Sequence, residues 1–128
     1  MSLRSPAQRV LGLGTAKDGA HHWWSQRVTS VALVVLGLWF VAALLRLDDF
    51  SYAVVTAWIA QPVNAVLLSL FTGTAAYHSL LGVQVVVEDY VSHHGAKVTT
   101  MVLLNFVHVV LAALGIFSVL KIAFGASA

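Results

Sequence analysis

Long apolar stretches alternate with short polar ones along this chain. Three stretches, residues 28–47, 63–87 and 98–124, are long and apolar enough to cross a bilayer. About 20 helical residues span the roughly 30 Å hydrocarbon layer. A helix also satisfies its own backbone hydrogen bonds, as lipid requires. The pattern predicts an all-α integral membrane fold, with a segment 1–27 ahead of a three-helix transmembrane domain over 28–124. Between the first two spans, residues 48–61 read DDFSYAVVTAWIAQ. This amphipathic run, with Phe50, Tyr52 and Trp58, predicts a short interfacial helix whose aromatics sit in the membrane surface belt. Pro62 then opens the second span, since proline suits the first turn of a helix.

Composition sharpens this picture. The chain is 59% hydrophobic and 9% charged, against about 25% charged residues in a soluble domain. It has no cysteine, which excludes disulfides, iron–sulfur ligation and thiolate zinc sites in this chain. A formal charge of +2 on so apolar a sequence does not suit nucleic-acid binding. The N-terminal segment lacks the continuous apolar core of a signal peptide, so no cleaved leader is expected.

Basic residues set the direction of the spans. Arg4, Arg9, Lys17 and Arg27 precede the first span, and Lys97 lies between the second and third. Alternating spans put these five on one side and Arg46 and Lys121 on the other. The N-terminus is therefore expected in the cytoplasm and the C-terminus outside. The second span then runs inward, and Asp89 emerges at the inner surface.

The second span carries the most informative residue. Its sequence VNAVLLSLFTGTAAYHSLLGVQVVV contains no carboxylate, lysine or arginine, yet has His78 near its middle. A charged side chain at that depth costs about 3 kcal/mol or more. Even a neutral imidazole needs a polar partner or a metal there. Gly82 lies one turn further along the same face, with Phe71, Ala75 and Val85 completing the stripe. Two readings fit. His78 ligates haem iron and Gly82 leaves room for the porphyrin, or His78 hydrogen-bonds across helices and Gly82 is a close-packing point.

Asp89 lies eleven residues after His78, almost three helical turns, so it shares that face. Asp89 and Tyr90 end the span at the inner interface. They read as solvated interfacial residues or as a polar site where a phenol donates to a quinone carbonyl. Ahead of the first span stands HHWWSQR, with His21, His22 and Arg27. Arg27 offers a rigid bidentate fork suited to a carboxylate such as a haem propionate, with His21 six residues before it. Alone, Arg27 reads as a snorkelling interfacial cation. On the third span, Asn105 and His108 share a face and read as hydrogen-bonding residues to neighbouring helices. His108 also opens a rival in which His78 and His108 of one chain both ligate haem, as in a self-contained b-type cytochrome.

Taken together, His21, Arg27, His78, Gly82 and the Asp89-Tyr90-Val91 ending resemble the hydrophobic membrane-anchor subunit of succinate dehydrogenase, the D-type chain of respiratory complex II. The resemblance covers nearly the whole chain, and the HHWWSQR opening is most similar to alphaproteobacterial members. It implies that His78 is an axial ligand of haem b, with the second histidine from a C-type, cytochrome b556-like anchor subunit. It implies Arg27 and His21 near the propionates, Gly82 packed against the haem, and Tyr90 with Asp89 in the ubiquinone site. Flavoprotein and iron–sulfur subunits would dock on the inner side, in a bacterial inner membrane, and this chain would perform no succinate chemistry itself. A structural anchor without cofactor contact, or the anchor of a quinol:fumarate reductase, would share the architecture.

Overall fold

The computed structural model describes residues 16–125. Arg4 and Arg9, which enter the charge count, lie outside this range, as does most of the segment 1–27. Four helices follow one another: α1 (Ala16–Leu44), α2 (Tyr52–Ile59), α3 (Pro62–Tyr90) and α4 (His94–Ala123). The described residues contain no strand. Three of the helices are long and apolar enough to cross a membrane, matching the three expected spans, and α2 is the expected short helix between the first and second.

The elements start and stop for local reasons. α1 begins at Ala16 rather than near Val28. No proline interrupts His21 to Arg27, so the helix runs on through the polar HHWWSQR stretch. α2 is capped by Ser51, whose hydroxyl accepts from the Val54 N–H at 3.4 Å, a common N-terminal cap. In the preceding turn, the Ser51 hydroxyl and its N–H, 2.7 Å from Oδ1, hold the Asp49 carboxyl below its ordinary range. Pro62 occupies the first turn of α3, where its missing N–H costs nothing. The α3 helix ends at Tyr90, as expected, and His93 caps α4 by accepting from the Ala96 N–H at 3.4 Å.

α3 is central. It packs on α1 and on α4, and α2 folds over the end shared by α3 and α4. The protein core is small, consisting of Ala65, Leu80, Leu81, Val87 and Val119. Val31, Val34, Val35 and Leu38 of α1 are exposed, as lipid-facing or partner-facing residues are in a membrane helix. Small side chains let helices approach closely in lipid, where packing replaces hydrophobic collapse. Aromatic side chains fill the seam between α1 and α3. Phe40 stacks on Phe71 with ring centroids 5.3 Å apart.

One expectation shifts in detail. Phe50 and Tyr52 of the expected belt are exposed, and Trp58 stacks on Trp39 of α1, with ring centroids 5.9 Å apart, because α2 folds back over the bundle. Asn105 was expected to reach a neighbouring helix, but its amide donates to Met101 O of its own helix at 2.7 Å.

Candidate functional site

The face of α3 that carries His78 is turned towards α1. Phe71 meets Phe40 at one end of the stripe. About two turns further along α3, the half-buried His78 meets two polar side chains of α1. Its Nδ1 lies 2.8 Å from Thr29 Oγ1, and its Nε2 lies 3.3 Å from Gln26 Nε2. Thr29 Oγ1 is also 2.8 Å from Ser25 O and 3.1 Å from Gln26 O. Gln26 Oε1 is buried without a partner, so the glutamine amide is only half satisfied.

Gly82 lies against this pair. A β-carbon there would meet Gln26 Nε2 at 3.7 Å, an ordinary van der Waals contact. Towards the C-terminal end of α3 the seam widens into an open cleft of about 740 Å³. His22, Trp23, Gln26 and Arg27 line it from α1, and Val85 and Glu88 from α3. Arg27 is exposed, and its guanidinium carbon stands 5.5 Å from the Trp23 ring centroid. A cation over an aromatic face is held there by about 0.5–1 kcal/mol at an exposed site.

This arrangement fits a flat, apolar macrocycle with an anionic edge. The imidazole lies one turn from a glycine, the hydrogen-bond partner of its Nε2 is a long and under-bonded glutamine, and a cation stands in the adjoining cleft. His22 rather than His21 lines that cleft. The cause is the helical register of α1. His22, Gln26 and Thr29 recur at intervals of four and three and share a face, whereas six residues, as from His21 to Arg27, turn a helix by about 240°. His21 is exposed on the adjoining side.

Asp89 and Tyr90 occupy the last turn of α3 and are exposed, Tyr90 at 84%. They do not line the cleft; Glu88 does. On the opposite side of α3, His108 of α4 engages its own helix, with Nδ1 2.8 Å from Leu104 O. Its Nε2 stands 3.4 Å from Ser79 Oγ. The two intramembrane histidines thus sit at different interfaces, His78 between α1 and α3 and His108 between α3 and α4. Among the described residues, no cluster of three or more His, Cys, Asp or Glu forms a conventional metal site.

His22 and Gln26 stand in the HHWWSQR stretch singled out in the sequence, but neither they nor Thr29 and Glu88 were expected at this site. The signal was present, since His22, Gln26 and Thr29 have the spacing of one helical face. Starting the first helix near Val28 hid it.

The sequence matches the succinate dehydrogenase/fumarate reductase transmembrane subunit family over residues 1–115. The chain belongs to that family. Relatives include the succinate dehydrogenase hydrophobic membrane anchor subunit of Rickettsia conorii, 33% identical over 72% of this chain and 74% of the relative. The corresponding subunit of Rickettsia bellii is 32% identical over 77% of this chain and 79% of the relative. That of Paracoccus denitrificans is 27% identical over 95% and 94% of the two chains. The resemblance read from the motifs is borne out. Three helices able to span a membrane, together with bacterial relatives, fit a bacterial inner membrane.

Proposed function

We propose that this chain is the membrane anchor subunit of a succinate:quinone oxidoreductase, holding one side of a haem b and part of a quinone site. The observation that carries the reading is the His78–Gly82 face of α3, turned towards α1 beside a cleft that contains Arg27. Bound there, haem b would supply a one-electron store between the soluble redox centres and quinone. His78 would give the iron one axial imidazole, with the second from a C-type anchor subunit. Gly82 would keep the space beside it clear. Arg27, which lines the cleft together with His22, would hold the propionate edge, and His21, exposed on another face of α1, would neighbour that edge from outside the cleft. Neutralising a carboxylate with a fixed guanidinium fork favours one orientation of a nearly symmetric group.

Asp89 and Tyr90 would form this chain's share of the ubiquinone site. Their exposure at the end of α3 supports a surface that other subunits complete, since a quinone pocket built by one chain would bury them. The iron–sulfur and flavoprotein subunits would dock on that side, which the count of basic residues puts in the cytoplasm. Succinate oxidation would occur in those subunits, and this chain would carry no succinate chemistry.

The separation of His78 and His108 onto opposite interfaces of α3 weighs against the one-chain, bis-histidine arrangement. A macrocycle ligated by both would need to displace α3 itself. The test is an absorption spectrum of the assembled complex. A reduced b-type band that is lost or altered in His78→Leu supports the reading. An unchanged band in that variant removes His78 as ligand.

A further inference from the structure

We infer that Thr29 is the positioning residue for His78, fixing both the tautomer and the ring plane so that Nε2 carries the lone pair. This rests on the reading of His78 as the haem ligand. Three contacts agree on it. A threonine hydroxyl has one proton to give. Thr29 Oγ1 has two carbonyl oxygens within reach, Ser25 O at 2.8 Å and Gln26 O at 3.1 Å, and carbonyls only accept. Sending the proton to His78 instead would leave the hydroxyl oxygen facing both carbonyls with no proton between them. The hydroxyl therefore donates within α1 and accepts from His78 Nδ1–H at 2.8 Å.

With the proton on Nδ1, the neutral ring has its lone pair on Nε2. The Gln26 amide nitrogen, 3.3 Å from Nε2, is a matching donor. That contact is the replaceable one. Gln26 Oε1 has no partner, and the long side chain can swing into the cleft it already lines. Thr29 is different, because its β-branched side chain is stiff and tied to its own helix. It remains in place whatever occupies Nε2. A ligating histidine generally donates its other ring N–H to such a partner, which orients the ring and raises its basicity. Here the partner is a neutral hydroxyl polarised by the backbone of α1.

The test uses the assembled complex with Thr29→Val, which keeps the shape and removes the hydroxyl, and Thr29→Ser, which keeps the hydroxyl. Thr29→Val should release haem about 10-fold faster to a competing acceptor, in line with the loss of an outer-shell partner. Its haem midpoint potential should rise, because a less basic imidazole stabilises ferric iron less. Thr29→Ser should restore both properties. Where Thr29→Val blocks assembly, Thr29→Ala, which removes the hydroxyl without adding bulk, is read in the same way. Wild-type release and potential in the valine or alanine variant, with haem still lost in His78→Leu, would overturn the role of Thr29 and leave the ligand assignment standing. An unaltered haem spectrum in His78→Leu would overturn both.

Discussion

Gly115 of α4 faces Thr72 of α3 so closely that a β-carbon on the glycine would stand 2.6 Å from the threonine methyl. That distance is well inside van der Waals contact, and the threonine cannot easily yield. Its hydroxyl donates to Leu68 O at 2.8 Å, which fixes its rotamer. Gly73, next in sequence, has Ile116 Cδ1 3.7 Å from its own β-position. The α3–α4 seam is thus set by small residues, as in other close membrane helix pairs.

Gly115→Ala should therefore destabilise the chain by about 1–3 kcal/mol, the usual cost of overpacking. Thr72→Ser removes the opposing methyl, and the double variant should recover most of the loss. Detergent-denaturation midpoints of the four proteins measure this. Equal losses in the single glycine variant and the double variant would show that the methyl is not the obstacle.

The same logic separates the two histidines. His78→Leu should weaken or shift the haem band of the assembled complex, while His108→Leu should leave it nearly intact. His108 bonds Leu104 O and approaches Ser79, so its loss should appear in stability, by about 1 kcal/mol or less. Equal loss of haem in both variants would restore the one-chain, bis-histidine arrangement.

Much of this was legible in the sequence, for identifiable reasons. The three spans announce themselves because lipid permits no other spanning geometry for apolar runs of that length. The His78–Gly82 face is legible because a one-turn spacing survives any small error in helix ends. The partners of His78 were not. Gln26 and Thr29 fall where the apolar pattern begins, and hydropathy alone places a helix end there, although the helix runs on to Ala16. The stacking of Trp58 was not legible for a related reason. An amphipathic helix has two sides, and periodicity does not say that its tryptophan will stack on Trp39.

Arg27 allows a test of charge against geometry. Arg27→Lys keeps the cation but loses the planar fork and much of the stacking on Trp23. Haem retained per complex after purification should fall modestly in Arg27→Lys and further in Arg27→Ala. A structure of the complex with Arg27 among lipid headgroups, remote from any porphyrin carboxylate, would remove the pairing.

The direction of insertion rests on five basic residues against two. A reporter fused after Ala128 should be active only outside the cytoplasm. Cytoplasmic activity would reverse the orientation and move Tyr90 away from the side on which the soluble subunits are expected to dock.

Tyr90 offers the sharpest separation of electron entry from electron exit. It ends α3 with its phenol exposed, so replacing it with phenylalanine removes a hydroxyl without disturbing a core. A hydrogen bond to a quinone carbonyl in a desolvated site contributes about 1 kcal/mol or more, equivalent to a several-fold change in rate or affinity. Tyr90→Phe should slow quinone reduction by that factor. Succinate oxidation with a soluble artificial acceptor should stay near wild type, because those electrons never reach the membrane site. Asp89→Asn should follow the same pattern and flatten the pH dependence of quinone reduction, if the carboxyl passes protons. The quantity to compare is the ratio of the two activities in one preparation, which cancels differences in expression and assembly. If that ratio and the response to quinone-site inhibitors match wild type in both variants, the two residues serve as interfacial anchors and the quinone is held elsewhere.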